Sequence, residues 1–158
     1  MTPMDLALDQ ARAAAGRGEV PVGAVLLGPD GTVLASAGNE VEARRDPSAH
    51  AEMLALRRAA ARLGAGRLPG CDLVVTLEPC AMCAHAAGLF RVRRLVFGAY
   101  DPKGGGVEHG ARVFAAPSCQ HRPEVIGGVR ERDCAAVLRA FFAGLRGDPT
   151  TSPYSSRG

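Results

Sequence analysis

Leu73-Val74-Val75-Thr76-Leu77-Glu78-Pro79-Cys80-Ala81-Met82-Cys83 joins two patterns that belong to different kinds of secondary structure. The apolar run from Leu73 to Leu77 predicts a buried strand. Pro79 then stands where a helix would begin, since a proline at the first helical position gives up no intrahelical hydrogen bond. That helix is expected to continue through Phe90. A strand that delivers two cysteines at C-x-x-C spacing to a helix start points to metal or redox chemistry in a reducing compartment. The chain holds 5 cysteines, an odd number that suggests no disulfide framework. Cys71, Cys119 and Cys134 read as small packing residues.

Upstream, His50-Ala51-Glu52 completes the set. One histidine and two cysteines supply three zinc ligands, and the fourth tetrahedral corner stays open for water, the mark of a catalytic site. Glu52 lies two residues beyond His50 and on a helix points elsewhere, so it is free to move protons. Ser48 looks like the N-cap of a helix running from Ala51 to Leu63 and ending at Gly64, with His50 and Glu52 in its first turn. Both halves of the site then stand at helix N-termini, whose positive ends favour thiolates. His85, His109 and His121 stay outside the ligand set, because three ligands are already assigned. A thiol redox pair would have no need of His50 or Glu52, and a structural zinc module would want a fourth protein ligand.

Outward from these motifs the chain alternates strands and helices. Thr2-Pro3-Met4-Asp5 carries an N-cap, a first-turn proline and an acidic residue, which start a helix running to Arg17. Pro21 to Leu27 predicts a buried strand, Gly28-Pro29-Asp30-Gly31 a turn, and Thr32 to Ala37 the returning strand of a hairpin. Glu40 to Pro47 reads as a charged connection. Arg93 to Ala99 predicts a fourth strand, Glu124 to Ile126 a short fifth, and Glu131 to Leu145 the last helix; Val107 to Pro117 has no clear period. Two strand-helix-strand steps imply a parallel portion of sheet with right-handed crossovers, and ligands bind outside the carboxyl ends of such strands. Asn39, the chain's one asparagine, sits at a strand end near the site. It reads either as a substrate-binding amide or as a turn asparagine in a left-handed conformation. Asp101 and Lys103, in the loop Asp101-Pro102-Lys103-Gly104-Gly105-Gly106, either face a substrate or are simply solvated.

With 158 residues and 47% hydrophobic content the chain has the size of one domain with a core of its own. The expected division is a single domain over residues 1–147 and a disordered tail over 148–158. No secretory signal and no run long enough to span a bilayer is visible, so a cytoplasmic protein is expected. A net charge of +3 permits nucleic-acid binding without requiring it.

These segments resemble the bacterial tRNA-specific adenosine deaminases of the cytidine-deaminase-like superfamily. The resemblance runs from Leu6 to about Arg146. It rests on Gly18 to Val25, Asn39, Pro47 with His50-Ala51-Glu52, Thr76 to Ala84, Phe97-Gly98-Ala99, Asp101-Pro102-Lys103, His121-Arg122 and Phe141-Phe142. It implies an α/β fold, a three-layer α/β/α sandwich with a five-stranded mixed sheet. It implies one zinc per chain on His50, Cys80 and Cys83, with Glu52 as the proton shuttle. Asn39 would contact the target nucleoside, and Asp101 and Lys103 would face a tRNA anticodon loop. The reaction would be hydrolytic deamination of wobble adenosine to inosine by a homodimer. Leu89-Phe90, Tyr100 and Gly106-Val107-Glu108-His109-Gly110 depart from the commonest family pattern, and no strongly basic extension follows Arg146. These departures motivate the alternative of a free base or nucleoside as substrate: guanine, cytosine or cytidine.

Overall fold

The computed structural model describes residues 1–147; the expected tail at 148–158 lies outside them. Helix α1 (Pro3–Gly16) opens with a full capping box, in which the Thr2 hydroxyl accepts from the Asp5 N–H and the Asp5 carboxylate accepts from the Thr2 N–H. Two otherwise orphaned donors are satisfied reciprocally, at the cap the sequence predicts. Strands β1 (Gly23–Leu27) and β2 (Val33–Gly38) form the antiparallel hairpin. They lead through a short helix α2 (Val41–Arg44) to α3 (Ala51–Leu63). Then follow β3 (Asp72–Leu77), α4 (Ala81–Leu89), β4 (Arg94–Ala99), a 3-10 turn (Val113–Ala115), β5 (Glu124–Ile126) and α5 (Glu131–Gly147).

The five strands lie in the order β2-β1-β3-β4-β5. β1 is antiparallel to both β2 and β3, whereas β3, β4 and β5 run parallel, so the sheet is mixed. Alternation along the strands sends Val25 and Val74 to one face, where they meet Met4, Leu8 and Cys134 of α1 and α5. Ala24, Leu26, Leu73 and Val75 point to the other face and pack with Leu54, Leu56, Ala84 and Ala87 of α3 and α4. A strand buried on both faces must be apolar at nearly every position, as β3 is. The strand-helix-strand reading holds for β3-α4-β4. It holds for β2-α3-β3 with β1 inserted between the two parallel strands. β4 reaches β5 through an irregular connection instead of a helix.

Four local expectations need correction. The first strand starts at Gly23 rather than Pro21. There α1 crosses so closely that any Cβ would overlap the Ala7 carbonyl, and the Gly23 N–H donates to the Thr76 hydroxyl at 3.1 Å. The stretch from Glu40 to Pro47 contains α2, whose Glu42 and Ala43 N–H groups donate to the buried Glu19 carboxylate at 2.8 and 2.9 Å. Ser48 does not cap α3. Its N–H and hydroxyl both donate to Asp46 Oδ1, at 2.9 and 2.7 Å, which delays the helix until His50 takes the cap position. Pro79 likewise stands just outside α4, whose cap is Cys80.

Candidate metal centre and active-site cavity

The chain enters α3 at His50 and α4 at Cys80, and each residue has the extended backbone of a cap, with ψ of 150° and 172°. Cys83 follows in the first turn of α4. The two helix starts meet at the carboxyl end of β3, so residues thirty positions apart converge. His50 Nδ1 lies 3.6 Å from Cys80 Sγ and 3.5 Å from Cys83 Sγ. Zinc bonds of roughly 2.0–2.1 Å to nitrogen and 2.3 Å to sulfur at a tetrahedral angle require N···S separations of about 3.5 Å. The residues therefore fit zinc in both spacing and donor chemistry. The three ligand atoms all lie within 4.8 Å of one another, and no other His, Cys, Asp or Glu joins the group among the described residues. A structural site with four protein ligands is thereby ruled out on those residues.

The donors are tuned as a unit. The Cys83 thiol donates to Cys80, and with the His50 hydrogen bond this outweighs burial and brings the Cys80 thiol down to about 4. Cys83 is pushed strongly up, because it gives its proton to Cys80, is buried, and faces Glu52 and the Cys80 charge. The hydrogen bond to Cys80 raises His50 against the effect of burial, and the Pro47 backbone also hydrogen-bonds the ring. Metal binding must therefore displace protons from this cluster. A test follows in the zinc-free protein: iodoacetamide should alkylate Cys80 at a rate nearly flat from pH 6 to 8. An ordinary thiol, about 8.5, gains roughly tenfold per pH unit over that range. Mass spectrometry of the modified peptide would read the rate, and a tenfold rise per unit at Cys80 would contradict the assignment.

Glu52 is 4% exposed. Burial raises its carboxyl above the usual carboxylate range, against smaller opposing effects of its own backbone N–H and His50. A carboxyl raised in this direction holds a proton more readily than an exposed one, which suits general acid/base work. It lines a cavity of about 410 Å³ together with His50, Cys80, Asn39, Leu77 and Asp101, among others. Cys83 is fully buried behind that wall.

Asn39 follows neither sequence alternative alone. Its φ is not positive, and its Oδ1 accepts the first amide of α3, Ala51 N–H, at 2.8 Å, while Nδ2 donates to the Val20 carbonyl at 3.1 Å. It thus closes the start of the histidine helix and borders the cavity as well. Asp101 borders the cavity too, and its Oδ1 accepts from the Lys103 and Gly104 N–H groups at 3.2 and 2.9 Å. Lys103 is exposed and does not line the cavity. His85 and His121 line a separate recess of about 160 Å³, and His121 Nε2 contacts the Val92 carbonyl at 2.8 Å. The sequence reading gave no role to Glu19 or Glu78, both of which line the cavity with buried carboxylates. For Glu78 the available signal was a lone acidic residue between Leu77 and Pro79 with no basic residue near it.

A family model for the cytidine and deoxycytidylate deaminase zinc-binding region matches residues 2–99. The chain is 52% identical over 145 residues to a tRNA-specific adenosine deaminase of Agrobacterium fabrum, covering 92% of this chain and 95% of that one. It superposes with a TM-score of 0.84 on a solved structure from work on A-to-I editing by tRNA:A34 deaminases at the wobble position, at 52% identity, covering 86% of this chain and 98% of that one. A guanine deaminase from Nitrosomonas europaea superposes with a TM-score of 0.78 at 27% identity, covering 89% of this chain and 83% of that one.

Proposed function

Because the chain belongs to the tRNA-specific adenosine deaminase family, within the zinc-dependent cytidine and deoxycytidylate deaminases, we propose that it deaminates adenosine to inosine at the wobble position of a tRNA anticodon. The observation that carries the reading is the joining of a three-ligand zinc group to a buried carboxyl on the wall of a base-sized cavity. Identity of 52% to a tRNA enzyme, against 27% to a guanine deaminase of the same fold, favours the tRNA substrate over the free base.

His50, Cys80 and Cys83 hold the zinc. When bound, zinc supplies Lewis-acid activation of water at neutral pH. Adenosine and water give inosine and ammonia, and Glu52 handles the protons. Its carboxylate takes one from the attacking water and delivers it to the ring nitrogen beside the attacked carbon; it then takes the remaining proton from the hydroxyl added to that carbon and gives it to the amino group, which leaves as ammonia as the C=O forms. The anticodon loop is single-stranded, so splaying the base into the cavity costs little unstacking. Asn39 offers its remaining amide N–H to the nucleoside. Asp101 borders the sugar side, and exposed Lys103 meets the RNA backbone outside the cavity. The active form is a homodimer, to which the exposed Met82 and Leu89 on α4 contribute apolar surface. The reaction belongs in the cytoplasm with its substrate; among the described residues no helix is long and apolar enough to cross a membrane.

The deciding experiment incubates the zinc-loaded protein, its mass fixed by light scattering, with an adenosine-containing anticodon stem-loop. A panel of free bases and nucleosides is run in parallel. Inosine in the stem-loop is expected, from a particle of twice the chain mass. Conversion of guanine, cytosine or cytidine alone would end the tRNA reading, and a monomer active on the stem-loop would end the dimer.

A further inference from the structure

Glu78 lies two residues before Cys80 and takes no part in the metal group, yet its carboxylate is fully buried. Oε1 accepts from the Asp101 N–H at 3.0 Å and from His109 Nδ1 at 2.8 Å. Oε2 accepts from the N–H groups of Val107, Glu108 and His109 at 3.2, 2.9 and 3.1 Å. All five donors belong to the one segment 101–109, so a single carboxylate gathers both ends of the loop that follows β4. The glycines between them let the backbone come this close. A Cβ on Gly105 would overlap Glu78 Oε2, and one on Gly106 would meet the first amide of α4. The Gly106 N–H also donates to the Pro79 carbonyl at 2.8 Å, tying the loop to the entry of the cysteine helix.

Two departures from the family pattern meet at this point. Tyr100 packs edge-on against His109, with ring centroids 6.1 Å apart, and His109 supplies the one side-chain donor to Glu78. The anchored segment carries Asp101 and Gly104, which line the same cavity as Glu52 and His50.

We propose that Glu78 is a positioning residue: it fixes the loop 101–109 as a wall of the cavity and so sets how tightly substrate is held, touching neither the reacting atoms nor the metal. The inference rests on the functional reading of the cavity given above. Losing charge-assisted hydrogen bonds to a buried carboxylate frees the loop to sample other positions, so substrate binding should weaken by at least about tenfold.

The test uses the full-length zinc-loaded chain and the variants Glu78→Gln and His109→Ala. Zinc per chain should stay at the wild-type value in both. Hydrogen exchange of the amides in 101–109 should accelerate at least about tenfold in Glu78→Gln and less in His109→Ala, with α3 amides unchanged. KM should rise about tenfold or more in Glu78→Gln while kcat stays within about threefold of wild type. His109→Ala removes one donor from a half-exposed ring and decides the matter should Glu78→Gln fail to fold. Unchanged loop exchange and KM would overturn the proposal, as would loss of zinc from soluble Glu78→Gln. Exchange needs no substrate, and KM is read on whichever compound the wild type converts. A wild type inactive on the stem-loop therefore counts against the substrate assignment alone, and a normal loop in an active Glu78→Gln counts against Glu78 alone.

Discussion

Glu52→Ala should keep one zinc per chain and deaminate its substrate about 10² to 10⁴ times more slowly than the wild type. The magnitude is that of a positioned general acid/base, and the geometry explains why the metal should stay. His50, Cys80 and Cys83 form the ligand group without Glu52, which occupies the first turn of α3 beside them. Glu52→Gln should be nearly as slow, because the amide keeps the shape of the side chain but cannot carry the proton. Metal analysis and single-turnover kinetics on the same preparations separate the two effects. If zinc left with the carboxyl, Glu52 would be a ligand and its assignment as proton carrier would fail.

His50→Ala should act in the opposite order, abolishing metal binding first and activity as a result. Only two sulfur atoms would remain, and the Cys80–Cys83 pair would keep sharing a proton as it does without metal. Turnover should fall to background, a larger loss than for Glu52→Ala. Bound metal also stabilises the fold by mass action, by about 4 kcal/mol at a thousand times its dissociation constant. In zinc-containing buffer the variant should then unfold roughly 10 °C below the wild type. With excess chelator the two should unfold at nearly the same temperature. A variant that retained stoichiometric zinc would show that the imidazole is not needed to hold it.

Both variants test residues that the sequence singles out, and the reason these were legible is chemical. A histidine and a C-x-x-C pair have few shared uses, and each stood beside a run with a clear strand or helix pattern. The N-cap of α1 and the short β5 were legible as well, from local residue choice alone, while the reciprocal Asp5 bond that completes the cap is added by the structure. What escaped was decided by distant partners. Ser48 has the side chain of a good cap, but its hydroxyl donates to Asp46 and accepts no amide of α3, an outcome that no local propensity foresees. Helix α2 is only four residues long and is held by Glu19 from far upstream, so the local sequence carries little trace of it. Asn39 was placed near the site by its position at a strand end, while its tie to Ala51 needed the fold to be seen. Nothing beside Glu78 in the sequence reveals its task, since its five donors come from more than twenty residues downstream.

The placing of β1 between β2 and β3 bears on how the ligand set comes together. His50 rides on the helix after β2 and Cys80 on the helix after β3, and β1 is the seam to which both strands are sewn. The two sulfurs share one helix start, but the imidazole comes from another, and it is the pairing of β1 with both neighbours that holds those two helix starts side by side. The ligand set is therefore a property of the assembled sheet: no single stretch of chain carries it whole.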